Sequence, residues 1–163
     1  MGDDDDKATR AADAARDYYN SADVDSFYTS VWGGEDVHTG IFEHPGEPVA
    51  QATRRTDARM ADQVADLLGP GRTVIDLGSG YGGAARHLAR SFGCHVVALN
   101  ISDVQNRRHR ELNARHGLDT LIDVVDGSFD AIPSPDGQFD VVWSQEALVH
   151  SGDRAHMLSE GVR

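Results

Sequence analysis

Lysine is almost missing. It occurs once in 163 residues, at Lys7, inside an acidic run at the N-terminus. A Walker-type phosphate loop and a Schiff-base enzyme both need a lysine at the site, so both classes are excluded. Cysteine also occurs once. Cys94 can form no internal disulfide, which fits a reducing compartment and makes a cytoplasmic location the expectation. It opens the apolar run Cys94-His95-Val96-Val97-Ala98-Leu99, where a small thiol is expected to be buried. No apolar run approaches the length of a membrane span, and no signal peptide is read at the N-terminus. Positive charge is scarce: 15 Lys and Arg face 27 Asp and Glu, a net charge of −12. Such a balance speaks against nucleic acid and anionic membrane as partners. Asp outnumbers Glu and Arg supplies nearly all the basic residues, a surface compatible with a salt-rich cytoplasm.

What is present supports one folded domain. The hydrophobic fraction is 39%, with two Trp, four Tyr and five Phe. Residues 1–7, Met-Gly-Asp-Asp-Asp-Asp-Lys, read either as a cleavable tag or as a native acidic arm, and are set outside the fold. Residues 8–46 form an N-terminal helical segment. A helix ends at Tyr18-Tyr19-Asn20, and Ser21 caps a second carrying Val24, Phe27, Tyr28, Val31 and Trp32 before Gly33-Gly34. The aromatics read either as a lid over a site or as packing for a sheet, and composition favours packing. Residues 47–163 then alternate strand and helix. The helix Glu47–Leu68 places Val49, Ala52, Thr56, Met60, Val64, Leu67 and Leu68 on one stripe. Gly69-Pro70-Gly71 stops it. Strands follow at Thr73–Leu77, His95–Leu99, Leu121–Val125 and Phe139–Ser144. Ser102 with Gln105 makes a capping box for a helix reaching His116, and Ser151 caps a last helix. The fold class is therefore α/β, with a doubly wound parallel sheet.

The stretch Val74-Ile75-Asp76-Leu77-Gly78-Ser79-Gly80-Tyr81-Gly82-Gly83 organises the rest. It reads as a buried strand, an acid near its end, and a glycine-rich turn opening a helix. Gly78, Gly80 and Gly83 satisfy the G-x-G-x-x-G pattern of dinucleotide-binding folds, and charge separates the possible ligands. A dinucleotide brings an anionic pyrophosphate to such a turn, where Asp76 would repel it. S-adenosylmethionine brings an ammonium and a sulfonium, which an acid there suits. The strand ends supply the remaining candidates: Asn100 and Ile101, Asp126 and Gly127, then Gln145 and Glu146. Asn100 lies twenty positions past Gly80, within reach of ribose hydroxyls, and Asp126 is placed to accept from the adenine amino group. The histidines share no metal-like spacing, so no metal site is expected.

These residues resemble a family. The blocks Tyr18-Tyr19-Asn20-Ser21, Phe27-Tyr28, Trp32-Gly33-Gly34-Glu35-Asp36, Asp76–Gly83, Ala98–Ser102 and Val142-Trp143-Ser144-Gln145-Glu146 with His150 are similar to class I S-adenosylmethionine-dependent methyltransferases. Within that class they most resemble the sarcosine/dimethylglycine N-methyltransferases of betaine synthesis. The resemblance implies a Rossmann-like sheet ordered 3-2-1-4 under an N-terminal helical lid. It also implies three further strands and a substrate-covering insert beyond this chain, leaving the fourth strand as an apolar edge open to self-association. A similarity to phosphoethanolamine methyltransferases implies that Tyr19 and His150 form a latch over the amine, with Glu146 as a substrate contact. Methyl transfer to nitrogen needs an amine without its extra proton, and His150 is the candidate base. No arginine can be assigned to the substrate carboxylate: a solvated helix face explains Arg54 and Arg55 better. Two rival readings stay open. One is a methyltransferase acting on another small amine, such as phosphoethanolamine; the other is a cofactor-binding half-site without turnover.

Overall fold

The computed structural model describes residues 2–33 and 35–163, with side chains from residue 9 onward. Met1 of the acidic arm and Gly34 of the Trp32–Asp36 block lie outside the described residues. The elements run α1 (Gly2–Tyr19), α2 (Ala22–Ser30), α3 (Val49–Gln63), β1 (Thr73–Leu77), α4 (Gly83–Phe92), β2 (His95–Asn100), α5 (Asp103–His116), β3 (Ile122–Asp126), β4 (Val141–Trp143) and α6 (Arg154–Val162). The backbone of α1 is helical from Gly2, so the acidic run continues the helix instead of preceding it.

The four strands form one sheet in the order β3-β2-β1-β4, every pair parallel. This is the order and class expected. Right-handed crossovers put the β1→β2 and β2→β3 connections on one face, and the return to β4 on the other. Alternation along β1 serves both faces. Val74 joins the core that Ala84, Ala85, Leu88 and Ala89 of α4 build with Val96, Ala98 and Trp143. Ile75 and Leu77 join Leu99 and Ile132 in a smaller core beneath the loop after β3. The strand order reverses between β1 and β4, and in such sheets the crevice at that switch point takes the ligand.

Boundaries move where local chemistry outweighs apolar pattern. α3 stops at Gln63 instead of Leu68, and its last turn tightens into a 3₁₀ turn at Ala65–Leu67. Leu67, assigned to the buried stripe, is half exposed. The buried face of α3 is Ala52, Thr53, Asp57 and Ala61. It is partly polar because it meets the charged segment that precedes it. Arg55 does not lie on a solvated face: it pairs with the buried Glu47 at 2.5 Å. Ser21 and Ser102 cap as expected, accepting from the backbone N–H of Val24 and Gln105. Asp153, not Ser151, caps α6, accepting from the N–H of Ala155 and His156 at 3.0 Å. The aromatic stretch packs on itself, the rings of Phe27, Tyr28 and Trp32 lying 5.3–5.8 Å apart, and α2 fully buries none of its own residues.

Candidate active site

A cavity of about 280 Å³ opens at the carboxyl ends of β1, β2 and β4. Its floor is the glycine turn. Gly78 and Gly80 adopt φ of +79° and +54°, which glycine tolerates without a side-chain penalty. Gly78 has no room for a side chain, because an added Cβ would run into Ala147. Asn100, Ile101 and Gln105 line one wall, Ser128, Phe129 and Asp130 another, and Gln145, Glu146, Ala147, Val149 and His150 a third. Ala12, Ala15 and Tyr19 of α1, Tyr28 of α2 and Val37 close it from the N-terminal side.

Of the residues selected from sequence, Tyr19, Gly78, Gly80, Asn100, Ile101, Gln145, Glu146 and His150 converge on this cavity. Tyr19 Oη and His150 Nε2 are hydrogen bonded at 3.1 Å across 131 positions of chain, with their rings edge to face. Burial, reinforced by the neighbouring Tyr28, Tyr18 and Glu146, pushes the Tyr19 phenol up to about 12, so it stays protonated. His150 is carried on a 3₁₀ turn, Leu148–His150, just past β4. Glu146 makes the sharp bend before it with φ of +56°. It is the one non-glycine among the described residues with positive φ, a conformation that costs about 1 kcal/mol and tends to persist at working sites. Thr39 holds it there, its backbone N–H and Oγ1 each donating to the Glu146 carboxylate at 3.1 Å.

Two selected residues are not brought in. Asp126 faces outward and accepts from Asn106 Nδ2 at 2.8 Å and from Arg110 at 2.6 Å. Those hydrogen bonds, with Asn106 first, lower its carboxyl pKa. Each oxygen keeps a further acceptor site beside these bonds. Gly127 packs under Leu99, where an added Cβ would come within 2.9 Å of Cδ1. Asn100 lines the cavity, but its Nδ2 is committed to Gln105 and Asn106, each at 3.1 Å. Sequence reasoning passed over Phe129, Asp130 and Val37, which stand in loops and share no motif with the glycine turn, and gave Tyr28 of α2 no site role beyond a possible lid.

Asp76 lies behind the turn, in the wall of a second cavity of about 20 Å³, room for roughly one water-sized group. Gly78 and Gln145 border both cavities. Asp76 Oδ2, Ser79 Oγ and both amide atoms of Gln145 are buried there without a protein partner. Burial raises the Asp76 carboxyl to about 7, the Asp57 charge adding to the shift and His38 opposing it. Unpaired buried polar groups are costly unless something fills them. A single cationic group suits this set: an ammonium reaching in from the larger cavity, past the shared Gly78 and Gln145, would meet Asp76. A pyrophosphate suits it less, for the Asp76 carboxyl borders the turn where that anion would sit. S-adenosylmethionine therefore fits better than a dinucleotide.

A further cluster escaped the sequence reading. Donor atoms of Asp36, His38 and Asp57, all buried, lie within 4.8 Å of one another, a grouping that could hold a metal ion. Spacing among histidines could not reveal it, because two of the three members are aspartates and one stands on α3.

A methyltransferase-domain family profile matches residues 75–163. The chain is 51% identical over 158 residues to a glycine/sarcosine/dimethylglycine N-methyltransferase of Actinopolyspora halophila, covering 97% of this chain and 28% of that protein. It is 49% identical to a sarcosine/dimethylglycine N-methyltransferase of Halorhodospira halochloris, covering 94% of this chain and 55% of that one. A crystal structure from Galdieria sulphuraria, provisionally named a sarcosine dimethylglycine methyltransferase, superposes with a TM-score of 0.80 at 44% identity. That match covers 85% of this chain and 54% of the other. The chain thus spans between about a quarter and just over half of the length of these relatives. The matched profile, the sheet order and the glycine turn agree, and the chain belongs to the methyltransferase-domain family.

Proposed function

We propose that the chain carries the methyl-donor half of a cytoplasmic N-methyltransferase, using S-adenosylmethionine to methylate sarcosine, dimethylglycine or both toward glycine betaine. The observation that carries the cofactor assignment is the unpartnered Asp76 Oδ2, buried in the wall of the small cavity beside the glycine turn. The amine assignment is supported by the names and identity of the relatives in Actinopolyspora and Halorhodospira. When bound, S-adenosylmethionine supplies the electrophilic methyl group. The chain's own residues hold and orient. Asp76 takes the ammonium of the amino-acid end, and Gly78 and Gly80 let the ligand lie against bare backbone. Asn100 and Phe129 flank the nucleoside.

Tyr19 and His150 close the cavity over the amine. His150 takes the proton that an aliphatic amine carries at neutral pH, so that the nitrogen presents a lone pair. Tyr19 keeps its own proton and fixes the imidazole. Glu146, steadied by Thr39, sets a carboxylate beside the cationic amine. In a chain extended to the relatives' length, His150→Ala should abolish methylation while leaving cofactor affinity within about threefold. Equal loss of both would overturn this assignment. The overall reading is tested with an isotope-labelled methyl donor offered alongside sarcosine, dimethylglycine and phosphoethanolamine. Label appearing only in a phosphoethanolamine product would replace the substrate assignment.

A second reading has its own support: among the described residues the cavity lining offers no arginine or lysine for a substrate carboxylate, as a half-site that binds cofactor without turnover would. Calorimetry with S-adenosylhomocysteine beside a turnover assay separates the two readings.

A further inference from the structure

Three buried amides meet where β2 ends and α5 begins. Asn100, Gln105 and Asn106 are 7%, 2% and 0% exposed. Asn100 and Gln105 line the larger cavity, and Asn106 lines neither cavity. Asn106 nonetheless decides how the other two lie. Its Nδ2 stands 2.9 Å from the Asn100 backbone carbonyl and 2.8 Å from Asp126 Oδ1. A carbonyl and a carboxylate only accept, so the Asn106 amide must face them with its NH₂ group. Its Oδ1 is thereby turned to the Asn100 side chain, whose Nδ2 donates to it at 3.1 Å. The same Nδ2 donates its other hydrogen to Gln105 Oε1, also at 3.1 Å. Gln105 then turns its own Nε2 away from Asn100, and that Nε2 is buried without a partner among the described residues.

We infer that Asn106 is a positioning residue: it fixes the direction of this amide relay, so that the cavity wall offers a ligand one acceptor, Asn100 Oδ1, beside one donor, Gln105 Nε2. Asn100 Oδ1 is the acceptor left over, since both Nδ2 hydrogens are already donated. A vicinal diol answers such a pair, because each hydroxyl donates one hydrogen bond and accepts others. In the proposed function that diol is the ribose of the nucleoside, and the inference rests on that reading. The relay also explains how an asparagine serves at a strand end where a carboxylate is usual. A carboxylate in place of Asn100 would set its oxygens against Gln105 Oε1 and Asn106 Oδ1, acceptor against acceptor. Buried and unmatched, such a group is costly.

The test is calorimetry on the whole 163-residue chain with two probes, S-adenosylhomocysteine and its 2′,3′-dideoxy analogue. The wild-type chain should prefer the first about a hundredfold, roughly tenfold for each hydroxyl. Asn106→Leu, close in volume, frees the Asn100 amide to turn. It should cut that preference to about tenfold, weakening S-adenosylhomocysteine while the dideoxy analogue stays within about threefold. Equal weakening of both probes, or an unchanged preference, would mean that Asn106 only braces the strand ends, and overturns the inference. Asn100→Asp gives a second judgement should the leucine chain not fold. It should bind S-adenosylhomocysteine about tenfold more weakly than wild type. Equal or tighter binding would show that the amides turn freely, and sinks the relay. Without ligand, the side-chain NH₂ groups of Asn100 and Asn106 should exchange slowly by NMR, and fast exchange of both counts against it. A wild-type chain that binds neither probe removes the cofactor reading, and the side-chain exchange still judges the relay.

Discussion

Asp76 carries two roles with opposite demands. In the ligand-free fold its buried carboxyl titrates near 7, well above the ordinary 3.8. Between those values the folded chain holds a proton that the unfolded chain has released. Stability from this group is therefore complete below pH 3.8 and is lost as pH rises through 7. Asp76→Asn should relieve that loss. We expect its melting temperature at pH 8 to exceed wild type by ~5 °C, with the gap shrinking by pH 5. The same change should weaken S-adenosylhomocysteine binding at least tenfold, because the ammonium loses its counter-charge. A cationic ligand also lowers the Asp76 pKa, so binding at pH 6 should release protons, seen as a calorimetric enthalpy that varies with buffer ionisation. His109 tilts the acid side the other way. Burial first, then the charges of Arg86 and Arg110, pushes its imidazole down to about 3. It stays neutral in the fold while the unfolded chain protonates near 6.5. This contribution is present above pH 6.5 and is lost as pH falls toward 3. His109→Gln should flatten the acid limb of a urea-midpoint profile between pH 7 and 4.

At the level of elements, the glycine turn and α5 are fitted to each other. Gly82 caps α4 at φ +81°, and a Cβ there would strike the His109 ring. Gly117 caps the far end of α5 at φ +66° with nothing within 4 Å of an added Cβ. Alanine at either position pays about 1 kcal/mol for left-handed backbone. Only Gly82→Ala adds a clash with a buried side chain, worth about 1–3 kcal/mol more. Urea unfolding should rank Gly82→Ala clearly below Gly117→Ala; equal losses would mean that the ring yields freely. The same elements show what could be read from sequence. Strands β1 and β2 were legible because Val74, Ile75, Val96 and Leu99 are buried on both faces and leave near-continuous apolar runs. The cavity lining was legible where a strand ends on a polar residue, as at Asn100, Gln145 and Glu146. Asp57 was not legible, since apolar periodicity turns any charged residue outward, and its partner His38 lies nineteen positions away across a loop. Asp126 is a related case, its carboxylate accepting from Asn106 and Arg110. A strand-end acid points at the ligand only if no nearer donor claims it, and Arg110 and Asn106 stand one helix face away on α5.

The sequence is acidic and, among the described residues, the sheet ends on β4, and these two properties oppose each other. Among the described residues, β4 is hydrogen bonded to one neighbour, β1. Val142 at its centre is 46% exposed, and Leu158 and Val162 of the adjacent α6 are exposed as well. A short apolar edge of this kind is a template for strand pairing with a second copy. Against it stands a net charge of −12, which drives copies apart at low ionic strength. Salt removes that repulsion, because the screening length falls from about 30 Å at 0.01 M to about 3 Å at 1 M, while apolar contact at the edge survives. Self-association should therefore grow with salt. Light scattering coupled to gel filtration is expected to show monomer at 0.01 M salt and concentration-dependent dimer at 1 M. Val142→Lys places a charge on the edge far from the cavity lining. It should keep the chain monomeric in both conditions with S-adenosylhomocysteine affinity unchanged. A dimer that persists in Val142→Lys would put the contact elsewhere than β4, and a dimer that dissolves with added salt would mean that ion pairs, not the apolar edge, hold the copies together.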